Sequence, residues 1–471
     1  MSALSRQNDA STGENAGSTG PGVASRTRKW TLVATSLGFA VVQLDVSVVN
    51  VAIKPIGASL GGGVSVLQWV VSAYTLAFAA FILSAGALGD RIGAKRVFIT
   101  GFALFTCASA VCGLAPTMGI LIAARAIQGL GAAVLVPCSL TLLNHTYSEP
   151  AERARAVGLW AAGASVALSA GPLIGGLLIA TLGWRAIFFI NAPIGLAGIM
   201  LTYRWAQETP RSPGRGFDPL GQLAAIICLS AIAASTIEGG AHSFISPAVL
   251  IGYAIALIAA AGFIATERRS DQPMLPLDVF RSGTFRCATA IGLLINVAFY
   301  GLIFVLSLFF QSGQHLSPLQ TGLAFAPMTA AVVAANLSAG RLAARLSPRL
   351  VILAGAVLFA IGASALLGID AGQGYLAIVF QLVAAGFGLG LVVPSMTAAL
   401  LGSVDRSRSG VASGTLNSAR QTGSVIGVAL YGSLIAHGAL VHGLRLALLI
   451  SAALALAVAV LTFGVTSKAS N

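Results

Sequence analysis

Ser84-Ala85-Gly86-Ala87-Leu88-Gly89-Asp90-Arg91-Ile92-Gly93-Ala94-Lys95-Arg96-Val97 is an apolar helix end that breaks into a short, glycine-containing basic turn and then becomes apolar again. A degenerate copy, Ser338-Ala339-Gly340 through Arg345 to Val351, returns at a constant offset of 254 residues. A second pair, Gly129-Leu130-Gly131 to Val136-Pro137 and Gly386-Phe387-Gly388 to Val393-Pro394, repeats at an offset of 257. Two motifs recurring in the same order at nearly one spacing predict two halves of parallel sense.

Composition names the solvent of those halves. Hydrophobic residues make up 56% of the chain and charged residues only 9%, against about 25% charged in ordinary soluble domains. A hydrocarbon core about 30 Å thick needs about 20 apolar residues per helix. Continuous apolar runs of that length favour helices over a closed barrel. Spans fall near 30–53, 64–88, 97–115, 118–143, 155–182 and 186–205, then 219–238 and 246–265, then 287–310, 320–340, 350–369, 374–400, 410–436 and 445–466. The expected fold is an all-α integral membrane protein of fourteen helices. A six-helix half (30–205), two extra helices with flanking cytoplasmic loops (206–286) and a second six-helix half (287–466) lie between a Ser/Gly-rich tail, 1–29, read as disordered, and a short tail, 467–471.

Charge placement tests the count, because a missed span would invert every later loop. With both termini cytoplasmic, 22 of the 27 Lys and Arg fall inside, Lys54, Arg185 and Arg445 fall outside, and Arg125 and Arg420 remain within spans. Trp30, Trp69, Trp184 and Trp205 sit at span ends, as interfacial anchors do. The net charge of +13 is therefore a topology signal and not a nucleic-acid stripe. The five cysteines show no CxxC spacing and predict free thiols without a metal. No Gly-Lys-Ser/Thr phosphate loop and no HExxH occurs, so neither ATP hydrolysis nor metalloprotease chemistry is expected, and no cofactor is implied.

Among the acidic residues only Asp45 is deep, in the outer half of the first span, and Arg125 lies at similar depth in the fourth. Ionisable groups in hydrocarbon mark functional sites by default. A carboxyl that desolvation and a nearby cation pull in opposite directions suits proton exchange; the structural alternative is a bridge that fastens two helices. Arg420, beside Gln421 and one turn from Asn417, is the second deep cation, with bonds to backbone carbonyls as its structural alternative. Two deep cations and one deep anion favour neutral or anionic amphiphiles over multivalent cations. Gln128, Asn296, Tyr300, Asn336, Asn417, Arg420 and Gln421 are candidate cavity groups, with helix packing the competing reading for Asn296, Tyr300, Asn336, Asn417 and Gln421.

These residues resemble the major facilitator superfamily, specifically its fourteen-helix drug:proton antiporter branch of the EmrB/QacA type. The turn after the second span (Gly86, Asp90, Arg91, Gly93, Lys95, Arg96) is similar to the superfamily's cytoplasmic signature, which the resemblance makes a charged latch between halves. Leu121 through Arg125 to Gln128-Gly129 is similar to the motif whose arginine serves proton transfer. Gly171-Pro172 with Gly175-Gly176 resembles the exporter motif, in which a kinked, small-residue helix packs against the opposite half; its earlier glycine position is here Ala167. Leu44-Asp45 to Ile53 is similar to the branch's own first-span signature, from which Lys54 before Pro55 departs. Gly183-Trp184-Arg185, Phe188 to Pro193, Phe217-Asp218-Pro219 and Gly410 to Arg420-Gln421 extend the likeness.

The resemblance implies a monomeric antiporter of the cell membrane that exports small amphiphilic molecules in exchange for protons by alternating access, with Asp45 and Arg125 coupling the proton. An uptake symporter on the same fold, or a membrane sensor or scaffold that transports nothing, are the competing expectations.

Overall fold

The computed structural model describes residues 21–211, 218–270, 273–275, 277–369, 374–404, 409–436 and 440–465. No strand occurs among them. Six helices come first: α1 (Pro21–Leu60), α2 (Val64–Ile92), α3 (Ala94–Leu114), α4 (Met118–Thr146), α5 (Pro150–Leu182) and α6 (Ala186–Trp205), the last interrupted at Ile190. Two follow, α7 (Pro219–Ala241) and α8 (Pro247–Arg269). Six more complete the chain: α9 (Gly283–Leu308), α10 (Pro318–Leu346), α11 (Pro348–Ala365), α12 (Val379–Gly402), α13 (Ser409–Ile435) and α14 (Leu440–Leu461).

The helix starts follow from side chains that satisfy the first free N–H groups. Thr117, Asp218 and Ser282 accept from the backbone nitrogens of Ile120, Gly221 and Phe285, and Ser317 forms a reciprocal box with Gln320. Proline opens α5, α7, α8, α10 and α11, where its missing N–H costs nothing. Gly93 ends α2 at φ 110°, and a Cβ there would lie 2.6 Å from the Glu208 carboxylate, so both backbone and space require glycine.

Thirteen helices are long and apolar enough to cross a membrane by length and composition. The fourteenth, α13, is diluted by Ser413, Thr415, Asn417, Ser418, Arg420 and Gln421, yet it packs along α9, α2 and α7, so its polar residues meet protein. The repeat is visible in the packing. α1 lies on α5 as α9 lies on α13, α2 on α4 as α10 on α12, and α1 on α6 as α9 on α14. The halves join along two equivalent seams, α5 with α10 and α2 with α13. α7 flanks the second seam, and α8 packs mainly on α7 with an outer face that is almost wholly exposed.

The tail differs from expectation. Residues 21–29 are helical, because α1 begins at Pro21 and its first turns are tied down: Arg28 Nη1 pairs with Glu152 at 2.9 Å, and the Tyr147 hydroxyl donates to the Arg28 carbonyl at 3.0 Å. Residues 1–20 and 466–471, and Phe217 of the predicted entry to the extra helix pair, lie outside the described residues.

Candidate functional site: a buried ion pair and an asymmetrically closed cavity

Asp45 on α1 and Arg125 on α4 meet. Arg125 Nη1 stands 2.5 Å from Asp45 Oδ2, with the Arg125 and Asp45 side chains 1% and 0% exposed. A pair removed from water this completely is tolerable only if the remaining polar atoms are also satisfied, and here most are. Gln128 Nε2 donates to Asp45 Oδ1 at 2.9 Å while its Oε1 accepts from Arg125 Nη1 at 2.7 Å. Asn191 Nδ2 donates to the same Oδ1 at 3.1 Å and to Ser109 Oγ at 2.9 Å, and Arg125 Nε reaches the Val70 carbonyl at 3.1 Å. The Tyr74 ring covers the guanidinium, its centroid 4.3 Å from Cζ, a cation–π contact worth about 2 kcal/mol when desolvated. One network thus ties α1, α2, α3, α4 and α6.

Asp45 does not face the space between the halves. Its helix turns Ser47, Asn50 and Val51 that way instead, to a narrow void also lined by Tyr300, Phe325 and Met328. A larger funnel, about 770 Å³ with its mouth, lies between α2, α4, α5 and α13 and opens at the end of the bundle that carries Asp90. Asp90, Asn144, Trp160 and Asn417 line it.

The opposite end is sealed where α1 meets the end of α9 and along the α2–α13 seam. Ser307 Oγ donates to the Asn50 carbonyl at 2.6 Å, Gln311 Nε2 donates to the Val51 carbonyl at 3.1 Å, and Lys54 Nζ donates to the Gln311 carbonyl. Pro55 accounts for the second bond: lacking an N–H, it leaves the Val51 carbonyl without its helical donor. Gln311 is presented by a π-helical turn, Phe309–Gly313. On the α2–α13 seam Gln68 Nε2 donates to the carbonyls of Val428 and Ala429, at 3.0 and 2.7 Å.

The remaining sequence candidates separate by position. Of the exporter-like glycines, Gly171 and Gly175 abut Ser47 and Val48 of α1, whereas Gly176 abuts Pro318 and Leu319 of α10 across the seam. Pro172 lies within α5. Gly86 and Asp90 line the funnel, Arg91 and Arg96 are exposed, and Glu208 holds the turn, accepting from the Lys95 backbone nitrogen at 3.0 Å and facing Arg96 at 3.6 Å.

Among the cavity candidates, Tyr300 and Asn417 line the two spaces, and Arg420 lies one turn beyond Asn417, half-buried. Three others are held by packing. Gln128 belongs to the ion-pair network, Asn296 Nδ2 bonds the Gly292 carbonyl at 2.7 Å, and Asn336 Nδ2 bonds Ser165 Oγ at 3.1 Å. Gln421 is buried with its Oε1 unpartnered. Sequence reasoning missed Ser109, Asn191, Glu208 and Gln311. Asn191 stood in a stretch already recognised, but the other three are single polar residues with no motif around them.

Comparison with known proteins agrees with this architecture. A family model described as "Major Facilitator Superfamily" matches residues 35–428 and 288–470. The chain is similar to the "Methylenomycin A resistance protein" of Streptomyces coelicolor, 37% identical over 85% of this chain and 84% of that protein. It is equally similar, 37% over 87% of this chain and 76% of the relative, to the "Multidrug resistance protein Stp" of Mycobacterium tuberculosis. Among solved structures, a bacterial homolog of the human lysosomal transporter Spinster in an inward-facing, unoccupied conformation superposes with a TM-score of 0.66 at 18% identity, covering 93% of this chain and 96% of that one. With the repeat, the two seams and the matched family all in one chain, this protein belongs to the Major Facilitator Superfamily, among its drug-efflux members.

Proposed function

We propose that this protein exports small amphiphilic molecules across the cell membrane in exchange for protons, working as a monomer with both termini in the cytoplasm. The observation that carries the coupling is the fully buried Asp45–Arg125 pair, in a protein whose funnel opens at one end only. The names of the relatives, resistance to methylenomycin A and to multiple drugs, favour export over uptake. The basic loops make the open end the cytoplasmic one, so the described state is the one that would load substrate from inside.

In this reading Asp45 is not a competitor for the substrate's position, since α1 turns it away from both cavities. Coupling runs through α1 itself: protonation on one face releases Asp45 from Arg125, and substrate on the other face bears on Ser47, Asn50 and Val51. The helix then shifts between two packings as the halves rock. Each entering proton supplies about 2.3 kcal/mol per 100 mV of membrane potential and about 1.4 kcal/mol per pH unit, enough for a tenfold to several-hundredfold gradient of a neutral substrate. Gly86, Asp90, Arg91, Gly93, Lys95 and Arg96 would form the cytoplasmic latch that closes when the opposite end opens. Substrate-dependent proton movement in proteoliposomes tests the proposal, and its absence for every amphiphile that the protein binds would overturn it.

A further inference from the structure

The two deep cations found in the sequence have different surroundings. Arg125 has its carboxylate. Arg420 has none: among the described residues its single hydrogen bond runs from Nη1 to Asn417 Oδ1 at 3.5 Å, and Nε is buried without a partner. Among the described residues no backbone carbonyl takes up the guanidinium, so the packing explanation open to it from sequence has no support there. A cation left unpaired at membrane depth is costly and marks a functional position by default.

Its location gives the cation a task. Gly410, Ser413, Gly414 and Asn417 form the α13 wall of the open funnel, spaced three and four residues apart on one helix face. Arg420 is the next position on that stripe, eleven residues from the start of α13 or about 16 Å of helical rise. It stands against α9 at Gly292, where a Cβ would be 3.4 Å from Arg420 Cγ, on the helix that also presents Tyr300 to the narrow void. Arg420 thus stands between the α13 wall of the funnel and the helix that carries Tyr300 of the void.

Resting on the efflux reading, we infer that Arg420 is the substrate's anion-binding residue, and that the favoured substrates are amphiphiles carrying a single carboxylate on an apolar, ring-bearing body. The guanidinium supplies a planar fork matched to a carboxylate. Phe299, Tyr300, Ile303, Phe325 and Met328 supply an apolar wall for the body. With Asp45 neutralised by Arg125, no deep carboxylate among the described residues is left to attract a cation.

The test is equilibrium binding to the full chain in nanodiscs, using the fluorescence of 1-pyrenebutyrate and of its methyl ester, which differ only in the charge. The acid should bind the parent protein at least about tenfold more tightly than the ester, the usual size of a charge-assisted bond. Arg420→Gln should lose that difference while keeping ester binding, and Arg420→Lys, which keeps the charge without the fork, should retain only part of it. Equal binding of acid and ester, binding of neither, or undiminished acid binding by Arg420→Gln overturns the assignment. The acid-to-ester ratio of the parent decides even if a variant fails to fold. Binding needs no turnover, so a protein that prefers the acid but moves no protons would sink the efflux reading and leave this inference standing.

Discussion

Gly176→Ala should act on one conformation and not on the fold. The new methyl would lie 2.6 Å from the Pro318 carbonyl oxygen and 2.9 Å from Leu319 Cα, both backbone atoms of the opposite half. Neither can rotate away, so relief comes from separating the halves by several tenths of an ångström at the sealed end. Overpacking of this kind costs about 1–3 kcal/mol, which shifts a two-state equilibrium about 5- to 150-fold toward the state open at that end. Gly175→Ala is the matched control, since its methyl meets Val48 Cγ2 at 2.6 Å within the same half. Spin labels at the exposed positions Leu182 and Leu376 would report the separation across the sealed end. The reasoning predicts a new long-distance population in Gly176→Ala and a lowered unfolding temperature without that population in Gly175→Ala. Identical distance distributions in the parent and Gly176→Ala would refute it.

Arg125→Gln leaves Asp45 buried without its cation and should cost about 3–5 kcal/mol of stability, whereas Asp45→Asn with Arg125→Gln should recover much of that loss; denaturant unfolding of the single and double variants checks the pattern. Gln311→Leu removes the donor to the Val51 carbonyl and should favour opening of the sealed end, read as faster labelling of a cysteine placed at Asn50. Glu208→Gln should lower stability by less than about 1 kcal/mol, because its Arg96 contact is largely exposed. A much larger loss in thermal unfolding would mean that the capped α3 terminus carries more of the fold than this geometry assigns it.

The helices and their pairing into halves were legible because lipid imposes a length on every span and the basic residues concentrate in alternate loops. The polarity of α13 was legible as residues but not as a position: only packing shows that Ser418 faces the Ala79 carbonyl, at 3.1 Å, and not lipid. Asp45 and Arg125 stood out because charge is rare at depth, and their meeting followed from similar depth. Ser109 and Asn191 did not stand out, since a hydroxyl or amide in a span costs little alone and gains meaning from the partner a fold brings to it. Asn336 shows the same limit in reverse, an amide that sequence left open between cavity and packing and that Ser165 holds in the structure. The register of a helix face, which sends Asp45 inward and Asn50 toward the opposite half, is set by how α1 packs against α4, α5 and α6, and no local pattern encodes it.

Proton flux in proteoliposomes on addition of a substrate that the protein binds, compared between the parent and Asp45→Asn, tests the central claim most directly. The account predicts substrate-dependent proton movement in the parent and its loss in Asp45→Asn, with the variant still folded and still binding substrate. Undiminished coupled movement in Asp45→Asn would contradict it, and would leave the Asp45–Arg125 pair as a fastening between helices.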